Sequence, residues 1–393
     1  MLNIVGIIIF FASIVFAWYI GYRSRLLSIG QFSSTQLPKD YFTGLNFLLN
    51  EETDKAVDVF IKMSEVDSNT VEMHLAIGKL FRKRGEVERA IRIHQNLIAR
   101  PQLDKSHREH ALFALGQDYL SAGMLDRAER IFTDLIHTRS HIGALSALLD
   151  IYQQEKAWDQ AIQIAKKLEV ATRKSKQTII AHHWCQLAEV AFAKNQEKEA
   201  SSFIDNALSA DKQCVRASLL QAKFFMHRED YRAALRSLKR IKNQKPDYLS
   251  EAIEPIAQCY EKLNKPDELV FYLKQLLSEY PHTPVVLILA ERIRQWKGAK
   301  LAANFVADYV RRYPSLEGIN LFVTIYISMA EGRTKEDLFI LHNLIKKLLS
   351  DKSVYQCISC GFDAKALHWF CPGCKQWNTI KPSHAAQIES AAL

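Results

Sequence analysis

Apolar and polar residues follow a helical period along most of this chain, and the pattern recurs about every 34 residues from residue 40 onward. In the clearest copies, a large apolar residue stands three positions after a small one, and alanine stands twelve positions after it. The residues at the first position of the eight copies are Gly44, Gly78, Gly116, Leu149, Ala188, Ala222, Ala257 and Ala290. The pattern predicts two antiparallel helices in each copy, packed most closely at the small residue.

This spacing resembles the tetratricopeptide repeat and predicts a superhelix of helix pairs over residues 40–314. Two further apolar-periodic segments, at 319–330 and 338–349, predict capping helices within 315–350. The chain has only 14 Gly and 10 Pro in 393 residues, which favours helices over sheet. We therefore predict an all-α fold whose groove binds a peptide or another protein. A purely structural spacer is the alternative.

Residues 1–22 predict a transmembrane anchor. Residues 2–22 carry no charge, Trp18, Tyr19 and Tyr22 lie at one end, and Arg23 and Arg25 follow directly. Because basic residues stay on the cytoplasmic side, the remainder of the chain is predicted to be cytoplasmic, with 23–39 as a juxtamembrane linker. A cleaved signal peptide would need a basic start and a small-residue cleavage site, and this stretch offers neither in good form.

Four of the seven cysteines form two Cys-x-x-Cys pairs separated by ten residues: Cys357 with Cys360, and Cys371 with Cys374. Two tight turns of this kind place four thiolates at the corners of a tetrahedron, the arrangement that zinc or a single iron ion prefers. Two disulfides or four ordinary cysteines are the alternative, which a reducing cytoplasm disfavours. We predict a metal-binding ribbon over 351–380, stabilised by its ion, and a flexible tail over 381–393.

Three other features leave alternatives open or are predicted to be structural. An aromatic set near the cysteine pairs forms a small core for the ribbon or packs it into the repeat groove; its members are Tyr355, Phe362, Trp369, Phe370 and Trp377. Arginines at every fourth position from 228 to 240 form a solvated face or a site for an acidic partner or lipid headgroups. His182 and His183 lie in a helical pattern and are predicted to be structural. The net charge of +9 is moderate, and basic stretches without interleaved aromatics argue against nucleic acid.

The order of these parts resembles the lipopolysaccharide assembly protein B family of Gram-negative bacteria. Gly361 after the first cysteine pair and Pro372 inside the second are similar to the metal knuckles of rubredoxins. Lys375 stands where rubredoxins usually have glycine, which weakens the argument for a redox role. The resemblance implies a non-enzymatic adaptor at the inner membrane, with one metal ion held by the four cysteines. That ion is iron by resemblance to rubredoxin, and zinc is the alternative.

The resemblance also implies partners. The family restrains lipopolysaccharide synthesis by promoting degradation of the deacetylase LpxC by the membrane protease FtsH. It is further associated with other lipopolysaccharide assembly proteins and with the inner-membrane regulator PbgA (YejM). The first rival function is a membrane-anchored rubredoxin-type electron-transfer protein on a repeat scaffold. The second, a metal-dependent hydrolase, would need an open coordination position, and four cysteines close the shell.

Overall fold

The computed structural model describes residues 39–50, 52–62, 68–280, 283–350 and 353–382. The described chain is helical apart from one small sheet, and it divides into two units, 1–141 and 142–393. The predicted anchor over 1–22 lies outside the described residues, as do most of the linker and the segment after 382. Among the helices that the structure describes, none combines the length and the apolar character needed to cross a membrane.

The described residues of the first unit form three helix pairs. In chain order its helices are α1 (Lys39–Leu49), α2 (Thr53–Lys62), α3 (Ser68–Lys83), α4 (Val87–Ile98), α5 (Lys105–Ser121) and α6 (Leu125–Leu135). A Cβ atom on Gly44 would lie 2.5 Å from Cζ of Phe60, and one on Gly116 would lie 2.8 Å from the Phe132 ring. Both rings are fully buried. A larger residue at either glycine would therefore push the paired helices apart.

A buried polar network crosses three helices of the first unit. Asp118 of α5 is fully buried and accepts a hydrogen bond of 2.5 Å from Nη1 of Arg82 in α3. Its other oxygen contacts Nδ1 of His94 in α4, and Arg82 also donates to the side chain of Gln117 at 2.8 Å. Both oxygens of the buried carboxylate thus have partners, which offsets its desolvation.

The described residues of the second unit form six helix pairs, and the first of these helices begins at His141, one residue before the unit boundary. These helices are α7 (His141–Gln154), α8 (Trp158–Thr172), α9 (Gln177–Ala193), α10 (Glu197–Ala210), α11 (Val215–His227), α12 (Tyr231–Gln244), α13 (Leu249–Lys262), α14 (Pro266–Glu279), α15 (Thr283–Lys297), α16 (Ala299–Arg312), α17 (Leu316–Ile327) and α18 (Gly332–Ser350). A short 3-10 helix, Pro246–Tyr248, precedes α13. The apolar segments predicted at 319–330 and 338–349 overlap α17 and α18, which form the last of these six helix pairs.

The four arginines at every fourth position from 228 to 240, which we call the arginine stripe, differ in their exposure to solvent. Arg228, Arg232 and Arg236 are exposed. Arg240 is half-buried, and its Nη2 donates to Ser218 at 3.0 Å and to Gln221 at 2.9 Å. Burial also lowers the pKa of Arg240. This last arginine therefore belongs to the packing of α12 against α11 rather than to an exposed basic surface.

A three-stranded antiparallel sheet follows the helices. It consists of β1 (Tyr355–Cys357), β2 (Asp363–Ala364) and β3 (Ile380–Pro382) in the order β2-β1-β3. Tyr355 pairs with Ala364 on one side and with Pro382 on the other. The predicted all-α repeat fold with a small metal ribbon after it is thus confirmed for the described residues. We call residues 353–382 the ribbon.

Candidate metal centre

Each cysteine pair lies in a turn closed by the same backbone bonds. The N–H of Gly361 donates to the carbonyl of Cys357 at 2.9 Å, and the N–H of Lys375 donates to the carbonyl of Cys371 at 2.9 Å. In both turns, the N–H of the first cysteine donates to a carbonyl beyond the turn. Other backbone N–H groups bond the sulfur atoms: those of Ser359 and Cys360 bond Cys357, and those of Gly373 and Cys374 bond Cys371, as in a thiolate-binding knuckle.

The two turns bring the four predicted ligand atoms together. The Sγ atoms of Cys357, Cys360, Cys371 and Cys374 all lie within 4.8 Å of one another. The distance is 3.7 Å from Cys357 to Cys374, and also 3.7 Å from Cys360 to Cys371. A tetrahedral ion with metal–sulfur bonds of about 2.3 Å gives sulfur–sulfur distances of about 3.8 Å. The donor set and its spacing therefore fit one tetrahedrally coordinated metal ion.

Lys375 adopts the backbone conformation that glycine adopts in the other turn. Its φ is 56°, and the φ of Gly361 is 74°. The departure from the rubredoxin pattern at this position therefore leaves the shape of the turn unchanged. A left-handed conformation costs an L-residue with a side chain about 1 kcal/mol more than it costs glycine.

Burial and hydrogen bonding act in opposite directions on two of the thiols. Burial raises the pKa of Cys357, but its hydrogen bonds with the Thr379 hydroxyl and with the backbone N–H of Cys360 outweigh burial, and the pKa falls to about 6. At Cys371 burial dominates and raises the pKa to about 12. A cation among the four sulfurs is the kind of partner that favours thiolates in such a site.

The ribbon packs on helices of its own unit through two tryptophans. The Trp377 ring stacks on His182 of α9, with 5.1 Å between ring centres and 19° between planes. The Trp369 ring lies 5.7 Å from the same imidazole and 5.4 Å from Tyr248. His183 meets Trp377 edge to face at 5.4 Å. The histidine pair that the sequence predicts to be structural is therefore part of the face that holds the ribbon.

Polar contacts surround this aromatic cluster. Each joins a ribbon residue to a helical residue: Trp377 Nε1 donates to Gln153 Oε1 at 2.6 Å, the Tyr248 hydroxyl to the Ile380 carbonyl at 3.0 Å, the Tyr355 hydroxyl to Glu251 at 2.5 Å, and Lys381 Nζ to Asp247 at 3.2 Å. Tyr248 is itself fully buried. These bonds give the ribbon one orientation on the helices, because each needs a specific donor and acceptor.

The structure decides between the two roles predicted for the ribbon aromatics. The ribbon's own buried cluster is Cys357, Cys371 and Ile380, with Tyr355 packed against it. Trp369 packs instead against the large core around Tyr248 in the second unit, and Leu367 packs against both clusters. Docking on the helices is therefore the main role of the tryptophans. An excess of large aromatic residues over what so short a segment can bury was the available signal in the sequence.

Both histidines are neutral in the docked arrangement. Burial, followed by the charge of Arg216, lowers the pKa of His183 to about 4. The same causes, with burial again the larger, lower the pKa of His182 well below its ordinary value. A protonated imidazole in this position would lose hydration without gaining an anionic partner among the contacts described above.

Family comparisons agree with the fold and the site. Residues 355–382 match the family described as a rubredoxin metal binding domain, and 74–109 match the tetratricopeptide repeat. Residues 142–274 match the tetratricopeptide repeat protein 21 ARM repeat. The chain is thus a tetratricopeptide repeat protein that carries a rubredoxin-like ribbon.

Relatives over nearly the whole chain identify the family. Lipopolysaccharide assembly protein B of Escherichia coli (strain K12) is 38% identical over 370 residues, which cover 93% of this chain and 95% of that protein. The protein of the same name from Haemophilus influenzae is 35% identical over 377 residues with the same coverage. This chain belongs to the lipopolysaccharide assembly protein B family, as its sequence features predict. A solved tetratricopeptide repeat protein from Parabacteroides merdae is 15% identical, and the match covers 65% of this chain and 98% of that protein, with a TM-score of 0.31.

Proposed function

We propose that this chain is a non-enzymatic adaptor in lipopolysaccharide assembly. Residues 1–22 would anchor it in the bacterial inner membrane, with 23–39 as linker and the bulk of the chain in the cytoplasm. Full-length similarity to the family supports the proposal, as does an array of helix pairs, the kind of scaffold that binds proteins. The observation that carries it furthest is the ribbon fixed on those helices by specific contacts, since a redox or hydrolytic module needs no such attachment.

We propose further that Cys357, Cys360, Cys371 and Cys374 bind one ion, either iron or zinc. When bound, the ion supplies a cross-link between the two turns. Four thiolates complete a tetrahedral shell and leave no position for a substrate, which supports a structural role. In the adaptor, the ribbon would keep one face of the array in a defined shape, and other faces would bind clients.

The proposed mechanism is delivery. The adaptor would hold the deacetylase LpxC close to the membrane protease FtsH and so promote its degradation, under the control of the regulator PbgA (YejM). An anchor and a client-binding surface on one chain raise the local concentration of client at the membrane without any chemical step. Other lipopolysaccharide assembly proteins would share the same scaffold.

The test is LpxC abundance in host cells depleted of this chain, with and without active FtsH. We expect LpxC to rise on depletion, and to show no further rise when FtsH is already inactive. Cells carrying Cys371→Ser should behave like depleted cells, whereas Cys259→Ala, a buried cysteine of α13, should behave like wild type. Unchanged LpxC on depletion would refute the delivery mechanism.

A second candidate, electron transfer, is favoured by one observation. Cys360 is exposed, so one edge of the site would be accessible to a redox partner. Reversible reduction of bound iron in the purified full chain would support this function. A site that carries zinc in cells, with no visible absorption, would argue against it.

A further inference from the structure

An open pocket lies on α9, the helix that also carries the two histidines under the ribbon. Its volume is about 310 Å³, and it lies between α9, α10 and α11. The walls are mainly apolar and are formed by Ala188, Phe192, Ile204 and Leu220. Glu189 and Lys223 are its charged lining residues, and both are exposed to solvent.

A ribbon tryptophan lies against the same helix, α9, that lines the pocket. Trp377 contacts Gln153 of α7 as well as His182 and His183 of α9, so it lies between the first helices of two consecutive pairs. The pocket lies one step further along, between α9 and α11, with Ile204 of α10 as a third wall. The pocket and the docking face therefore share α9, and Phe192 holds the repeat position in α9 that Gln153 holds in α7.

Arg216 connects the docking face to the pocket. It is buried, its Nη1 lies 3.5 Å from the carbonyl of His182, and its guanidinium donates to Glu189 at 2.8 and 3.2 Å. The negative charge of Glu189 is therefore compensated, and its side chain is held in one position. An entering carboxylate would meet little repulsion from this wall of the pocket.

Lys223 supplies the charge that a ligand can use. Its ammonium group lies 5.8 Å from the centre of the Phe192 ring. Within the described part of the chain it forms no ion pair, in contrast to Arg216. An ammonium group above an aromatic wall can pair with an anionic group while the wall receives an apolar one.

We propose that this pocket binds one large apolar side chain, aromatic or branched aliphatic, from a client segment that carries a carboxylate next to it. The volume is at the lower end of the range for ligand pockets, about 300 Å³, which suits a single side chain. Lys223 pairs with the client's carboxylate. The proposal rests on the adaptor function proposed above and identifies the chemistry by which a client is held beside the ribbon.

Peptide binding to the full chain in detergent micelles tests the chemistry. The probe is a fluorescein-labelled twelve-residue peptide with one Trp flanked by two Glu, measured by fluorescence anisotropy. Replacing its Trp by Ala should weaken binding at least about tenfold, because the apolar contact is lost. Replacing both Glu by Lys should weaken it about fivefold, and added salt should reduce that difference. Equal affinity for all three peptides would overturn the proposal.

Variants of the chain locate the binding site. Ala193 is an exposed lining residue, so Ala193→Trp should fill the pocket and weaken the Trp–Glu peptide at least about tenfold with unchanged circular dichroism. Ala122→Trp, also at an exposed position, is the matched control and should bind normally. Lys223→Glu should reverse the preference between Glu and Lys peptides, whereas Lys198→Glu should not. Normal binding by Ala193→Trp would overturn the proposal.

A photoreactive residue at position 193 identifies the occupant. Crosslinking to the peptide, competed by unlabelled peptide, supports the proposal, and crosslinking to the chain's own residues 383–393 overturns it.

Failure of the adaptor function is distinguishable from failure of the pocket. If depletion leaves LpxC unchanged but peptides bind as expected, only the adaptor function fails. If depletion raises LpxC but Ala193→Trp binds peptide and restores turnover, only the pocket fails.

Discussion

The ribbon and the helices beneath it are stabilised in different ways. The helices around Tyr248 share a continuous apolar core in which most members are fully buried. The buried cluster inside the ribbon has three members, Cys357, Cys371 and Ile380, and two of these carry candidate metal ligands. Apolar burial therefore suffices for the helices, while the ribbon depends on its ion and on contacts with the helices.

Because of this difference, the helices and the ribbon should respond differently to mutation and to metal loss. A core built from many side chains loses a few kcal/mol when one is removed, and the remaining contacts persist. A ribbon of 30 residues has no such reserve, because coordination and docking supply most of its stability. Perturbations of the metal, of the docking face and of one turn should therefore have effects of decreasing size, mostly confined to the ribbon.

Metal removal should have the largest effect. We expect Cys371→Ser, or chelation, to unfold residues 353–382 while the helices stay folded, because a structural zinc site contributes on the order of 10 kcal/mol. Limited proteolysis with mass spectrometry should detect new cleavage sites in the ribbon, and far-UV circular dichroism should retain most of its helical signal. Cys259→Ala is the control and should keep the metal. A ribbon that stays resistant to protease after complete metal loss would show that its stability does not depend on the ion.

Acidification should have an intermediate effect on docking. His183 has a pKa of about 4 when docked and an ordinary value near 6.5 when exposed, so the undocked state binds more protons between these values. Docking should therefore be insensitive to pH above about 6.5 and should weaken as pH falls towards 4. The loss for this one group is at most about 3 kcal/mol, because Arg216 and Trp158 stay beside His183 after undocking.

Tryptophan fluorescence and hydrogen exchange of the ribbon, recorded from pH 8 to 4, would measure this effect. Metal content must be measured in parallel, since protonation of thiolates also releases metal. His183→Phe keeps a ring beside Trp377 and removes the proton site, so its docking should depend less on pH. The same pH dependence in that variant would assign the effect to other groups.

The smallest effect is expected at the second cysteine turn. Lys375→Gly should stabilise the ribbon by about 1 kcal/mol, because glycine adopts the observed positive φ without strain. Gly361→Ala in the first turn should destabilise it by a similar amount. Chelator competition midpoints of the two variants, compared with wild type, provide the measurement. Equal midpoints for all three proteins would show that the turns relax around their side chains.

Local features of the site were accessible from the sequence, and its docking was not. The spacing within each cysteine pair predicts the turn that carries it, because four consecutive residues decide that geometry. The hydrogen bond from Trp377 to Gln153 joins residues 224 positions apart, and no local period reports such a pairing. The sequence shows more aromatic residues than the ribbon can bury, but it does not show which surface of the helices they contact. The arginine stripe shows the same limit, since only the fold separates half-buried Arg240 from its exposed neighbours.

By itself, the sequence determined the helix pairs, their close packing at Gly44 and Gly116, and the four cysteines that converge. Helical periodicity and turn chemistry depend on residues only a few positions apart, so the sequence alone predicts them. Only the tertiary structure decided that His182 and His183 face the ribbon as neutral rings, and that Arg216 connects that face to a neighbouring pocket. Those outcomes depend on which surfaces meet after the helices have packed, because burial and charge at each residue are set by neighbours distant in the chain.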